Sequence, residues 1–61
     1  MNYTIAAQVI AHRLGFRVSC VERVLHAISD NPVTAYLEIA TLPEIEAIRR
    51  LWKASTDLHL T

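Results

Sequence analysis

Apolar residues recur every three to four positions through most of this chain, which is the spacing of one face of an α-helix. The pattern is interrupted at Gly15, at Ser29–Pro32 and at Thr41–Pro43, so it divides the chain into four segments. No stretch alternates apolar and polar residues over the length of a strand. The pattern therefore predicts an all-α fold of four short helices, forming a single domain over residues 1–61.

Local signals set the predicted helix limits. The first helix runs from about Thr4 to Leu14 and stops at Gly15, because glycine adopts the left-handed C-terminal conformation without strain. The second runs from about Cys20 to Ser29, the third from Pro32 to about Ala40, and the fourth ends near Ala54. The predicted N-terminal caps are Asn2 or Thr4, a capping box of Ser19 with Glu22, Asn31, and a capping box of Thr41 with Glu44.

Each predicted helix carries an apolar face that we expect to be buried. The expected faces are Ile5, Ala6, Val9, Ile10 and Leu14 in the first helix, Val21, Val24, Leu25 and Ile28 in the second, Val33, Tyr36, Leu37 and Ala40 in the third, and Ile45, Ile48, Leu51 and Trp52 in the fourth.

The composition predicts a partner subunit. A chain of 61 residues buries little surface, yet 52% of its residues are hydrophobic and its mean hydropathy is +0.26. Cys20 is the only cysteine, which excludes an internal disulfide, and no Cys/His pair has zinc-finger spacing. We therefore expect apolar surface to remain for association, most simply as a homodimer. The residues assigned to this dimer or partner interface are Tyr36, Ile45, Ile48 and Trp52.

One motif lies across the first interruption. Ala11 precedes Gly15 by four positions, Phe16 follows the glycine directly, and Val21 and Val24 lie six and nine positions after it. With this spacing, residues 7–27 resemble the helix-turn-helix family of DNA-binding regulators. The resemblance implies that the second helix lies in the major groove of double-stranded DNA.

The resemblance also implies which residues would contact DNA. Its exposed positions here are Arg13, Arg17, Ser19, Cys20, Arg23 and His26. In one respect the chain departs from the family. The family places its N-cap two residues after the glycine, at Arg17, whereas the best capping residue of this chain is Ser19. We therefore expect either a shorter second helix or a longer turn.

Charge is distributed unevenly although the net charge is zero. Residues 1–27 carry three arginines against one glutamate, a net +2, and residues 28–61 carry the compensating −2. A nucleic acid would therefore meet the first half of the chain.

A second hypothesis remains open. Compact helical chains of this length look like accessory proteins from bacteriophage early regions, some of which bind a host protein without contacting nucleic acid. Under either hypothesis we expect no catalytic residue, metal or cofactor. We also expect no membrane span and a cytoplasmic location, because no segment approaches about 18 apolar residues and the uncharged start lacks the basic residues of a secretory signal.

Overall fold

The computed structural model describes residues 1–60, which form four α-helices and no strand. The helices are α1 (Tyr3–Leu14), α2 (Val18–Ile28), α3 (Pro32–Ala40) and α4 (Glu44–Asp57). The prediction of an all-α fold with four short helices is confirmed. None of these helices combines the length and the apolar character that crossing a membrane requires.

Three predicted terminal signals are confirmed. The Asn2 side chain accepts a hydrogen bond from the backbone N–H of Ile5 at 2.8 Å. The Asn31 side chain accepts from two N–H groups of the first turn of α3, at 2.9 and 3.2 Å. Gly15 ends α1 with a backbone φ of 77°. These caps satisfy backbone groups that a helix end leaves without partners.

The two predicted capping boxes are wrong. α2 begins at Val18, so Ser19 lies inside the helix, and the N-cap is Arg17 without any side-chain capping bond. Thr41 ends α3 instead of starting α4, and its hydroxyl donates to the Leu37 carbonyl at 2.6 Å. A cap contributes about 1 kcal/mol, less than the burial of one large apolar side chain. Packing therefore decides where these helices begin.

The core lies where the four helices meet and combines a few large side chains with many alanines. Its largest fully buried residues are Leu25, Ile39, Leu51, Val21 and Val24. The buried alanines are Ala6, Ala7, Ala11, Ala35 and Ala47. Small side chains allow helix backbones to approach closely, so the fold fills its interior with few bulky residues.

The predicted apolar faces are correct for α2 and partly wrong for the other helices. The predicted core residues that lie exposed are Ile5, Val9, Val33, Leu37, Ile45 and Trp52. In each case the buried face is rotated toward alanine, as on α3, where Ala35 and Ile39 are buried and Leu37 is 48% exposed. Together with Met1, Val18 and Leu58, these bulky residues form the exposed apolar surface of the molecule.

The last helix is longer than predicted. α4 continues one turn past Ala54 to Asp57. His59 then adopts a positive φ of 56°, and the N–H of Leu60 donates to the Ser55 carbonyl at 2.9 Å. This turn returns the half-buried Leu60 side chain to the core.

Candidate nucleic-acid interface

The connection between α1 and α2 is a three-residue turn, Gly15 to Arg17. The N–H groups of Gly15 and Phe16 both donate to the Ala11 carbonyl, at 2.8 and 3.0 Å. Arg17 is extended, and its carbonyl accepts the first bond of α2 from Val21 at 3.1 Å. The N-cap thus lies two residues after the glycine. The expected departure from the helix-turn-helix spacing is absent, because α2 begins at Val18, before Ser19.

The motif's packing positions all lie inside the protein or against its core. Ala11 is 2% exposed, and Val21 and Val24 are fully buried. Phe16 is half-buried and packs against the core cluster. These contacts fix α2 on α1 over the first turns of α2, so the orientation of the outward face of α2 is set by the core.

Three of the predicted contact residues lie on one outward stripe of α2. Ser19, Arg23 and His26 are exposed, and their spacing of i, i+4 and i+7 places them on one face. Arg17, at the start of α2, and Arg13, in the last turn of α1, are exposed as well, and Arg17 also lies at the groove beside Trp52 of α4. We call these five residues the α2 surface.

Cys20 does not belong to the α2 surface. Its side chain is half-buried, and its Sγ lies 3.1 Å from the Oγ of Ser55 on α4. Ser55 is only 4% exposed. The expectation that Cys20 is an exposed contact residue is therefore wrong, because the flank of α2 that carries it packs against α4.

His26 is exposed but is not free to rotate like a typical surface side chain. Its imidazole stacks on the Tyr3 ring with the ring centroids 3.7 Å apart. The Tyr3 hydroxyl in turn donates a hydrogen bond to the Ser29 carbonyl. These contacts join the start of α1 to the end of α2 and hold the imidazole in place. No local sequence pattern predicts them, because Tyr3 and His26 are 23 positions apart.

The charge near the α2 surface is positive. Glu22 is the only acidic residue among the first 29. It is half-buried, and its Oε1 accepts from the Thr4 hydroxyl of α1 at 3.4 Å. The carboxylate thus contacts α1, and Glu22 borders the Ser19–Arg23–His26 stripe, since it lies three positions after Ser19 and four before His26. Among residues 1–60, the ion pair within 4.0 Å is that of Arg50 with Glu38, so Arg13, Arg17 and Arg23 keep their charges without an acidic partner in direct contact.

The predicted partner-interface residues do not form one group. Ile45 and Trp52 are strongly exposed on α4, whereas Ile48 and Tyr36 are half-buried. Ile48 and Trp52 line a groove of about 410 Å³ between α4 and the α1–α2 turn, which neither Ile45 nor Tyr36 reaches. The sequence did not reveal this groove, because it depends on how the turn packs against α4.

Among residues 1–60, no group of three or more His, Cys, Asp or Glu side chains is placed to hold a metal ion.

A scan of protein-family models and searches of curated proteins and of solved structures found no match to this chain.

Proposed function

We propose that the protein is a small DNA-binding regulator of the helix-turn-helix type, and that the α2 surface contacts double-stranded DNA. The observation that carries this proposal is the start of α2 at Val18, after a three-residue turn with a left-handed glycine. With this start, the spacing of glycine, N-cap and buried positions agrees with that of the family throughout the motif.

The side chains of the α2 surface suit the task. Arg17 and Arg23 can donate to a guanine edge or to phosphates, and Ser19 can bond either. Arg13, on the neighbouring helix, is suited to a phosphate of the backbone. Each neutralised phosphate contributes about −0.9 to the slope of the logarithm of the binding constant against the logarithm of the salt concentration. Three arginines therefore predict a slope of about −3 per subunit.

Binding of a fluorescently labelled mixed-sequence duplex, followed by anisotropy between about 50 and about 200 mM salt, tests the proposal. We expect the affinity of the protein to fall steeply over this range. We expect the double variant Arg17→Ala, Arg23→Ala to bind far more weakly and to lose about 2 units of slope, since two phosphate contacts disappear.

A matched control separates contact from overall charge. Arg50→Ala on α4 removes the same charge as Arg23→Ala, and Arg50 reaches only the exposed Glu38 at 3.5 Å. We expect Arg50→Ala to leave duplex binding nearly unchanged. The proposal fails if the protein binds no duplex at low salt, or if Arg23→Ala and Arg50→Ala weaken binding equally.

A further inference from the structure

The outward face of α4 is a second surface suited to binding a partner. Ile45 is 66% exposed and Trp52 is 56% exposed, and their i, i+7 spacing places them on the same side of the helix. Ile48 lies between them and is half-buried. Together with Ile48 they form an apolar stripe along the helix, and contiguous exposed apolar surface is a feature of interaction sites.

This patch lies beside the groove between α4 and the α1–α2 turn. Trp52 forms one wall of the groove, and its ring meets the edge of Phe16 with the centroids 6.2 Å apart. Leu14 and Leu60 contribute further apolar lining. A protruding isoleucine and an apolar groove on the same face are the two complementary parts of an interface in which one patch meets its own copy.

The charges of α4 decide the direction of such a pairing. Its first turn carries Glu44 and Glu46, and its last residue is Asp57. The basic residues Arg49, Arg50 and Lys53 lie around its middle. A parallel pairing would place each charge beside its own copy. An antiparallel pairing places Glu46 beside Lys53, and only the two Arg49 side chains, at the middle of the helix, lie near a like charge. Arg50 already contacts Glu38 of α3, which leaves Arg49 and Lys53 for a second copy.

We propose that the face of α4 around Ile45 and Trp52 binds a second copy of this chain, with the two α4 helices antiparallel. Ile45 of each copy lies over Trp52 of the other, at the mouth of the groove. With this register the helices pair about a point between Ile48 and Arg49. Glu46 of one copy then lies near Arg49 and Lys53 of the second copy. The pairing residues Ile45, Glu46 and Trp52 lie outside the α2 surface, although Arg17 of that surface also lines the groove. The pairing does not depend on DNA binding.

Sedimentation equilibrium of the full chain without DNA tests the pairing. We expect a monomer–dimer equilibrium at protein concentrations up to about 1 mM. We expect Trp52→Ala to raise the dimer dissociation constant at least about tenfold, since exposed tryptophans are frequent anchors of interfaces. Leu37→Ala is the matched control, because Leu37 is 48% exposed on α3 and lies outside the proposed interface. It should leave the dissociation constant unchanged.

Charge reversal tests the antiparallel register. We expect Glu46→Lys to weaken the dimer, because the new lysine meets Arg49 and Lys53 of the second copy, and the double variant Glu46→Lys, Lys53→Glu to recover part of the loss. A dimer that the double variant does not restore overturns the register. The proposed pairing is overturned if the chain stays monomeric at all concentrations. It is also overturned if the chain is a monomer that forms a Trp52-dependent complex only with a different protein. Because the sedimentation experiments contain no DNA, a negative result there disproves the pairing without bearing on the proposed DNA binding.

Discussion

Gly15 adopts a φ of 77°, where an L side chain costs roughly 1–2 kcal/mol, and a Cβ added there would meet no other side chain or backbone within 4 Å. Its role is therefore conformational: it allows α1 to end within one residue. This could be predicted from the sequence, as could the caps at Asn2 and Asn31, because each depends on chemistry within three or four neighbouring residues.

Ser19 and Thr41 could not be assigned in the same way. The sequence pattern of a capping box also occurs inside helices and at their ends, so it identifies a start only where the chain turns at that residue. At Ser19 the turn is already complete two residues earlier, with Arg17 extended and the carbonyl of Arg17 bonded to Val21. The position of that turn depends on the packing of Phe16 and Val21, which are contacts beyond the local sequence.

Two single substitutions test this assignment of the caps. We expect Asn31→Ala to lower the free energy of unfolding by about 1 kcal/mol, because two N–H groups of α3 lose their acceptor. We expect Ser19→Ala to change it by less than about 0.5 kcal/mol, because the exposed Ser19 caps nothing. Urea unfolding followed by circular dichroism measures both. If Ser19→Ala costs as much as Asn31→Ala, α2 begins at Cys20 and not at Val18.

At the scale of the helices, periodicity identified every element but not every buried face. The predicted buried face of α2 is correct because the large apolar residues of this helix lie on a single stripe, with Val21, Val24 and Leu25 fully buried. On the other helices alanine competes with larger apolar residues for the inward position. The sequence of one helix does not show which of its faces is buried. Close helix contact favours small residues, and these contacts form between segments that are distant along the chain.

A pair of leucines tests which faces are buried. Leu25 is fully buried and Leu37 is 48% exposed, although both lie on apolar faces predicted from the sequence. We expect Leu25→Ala to cost about 2–5 kcal/mol, which is most of the stability of a domain this small, and Leu37→Ala to cost less than about 1 kcal/mol. Thermal and urea unfolding of the two variants give the comparison. Equal losses would place Leu37 in the core and contradict the packing of α3.

The same limit applies to the candidate site. Arg23 and His26 could be assigned to the surface because helical spacing places them opposite the buried face of α2. Arg17 and Ser19 precede the predicted start of that helix, so their assignment depends on the helix-turn-helix resemblance alone. Cys20 could not, since its burial depends on Ser55, which is 35 positions away along the chain. The groove beside Trp52 and the stacking of His26 on Tyr3 also join distant segments, and no periodicity within one helix predicts them.

At the scale of the whole molecule, small size and apolar composition act together. The protein measures 25 × 23 × 16 Å, so it has little interior for a chain that is 52% hydrophobic. Its alanine-rich core uses that interior for close helix contact and leaves larger side chains outside. Among the resulting surfaces are the basic α2 surface, proposed to contact DNA, and the apolar face of α4, proposed to join two copies. Arg17 lies where the two adjoin.

Titration of the ¹⁵N-labelled protein with a mixed-sequence duplex at about 50 mM salt, followed residue by residue by NMR, tests the central claim most directly. We predict that the largest amide shift changes occur at Arg17, Ser19, Arg23 and His26, and that they reverse as salt is added. An unchanged spectrum at that salt concentration, or shift changes confined to α4 around Arg49 and Lys53, would contradict the assignment of α2 as the DNA-contacting helix.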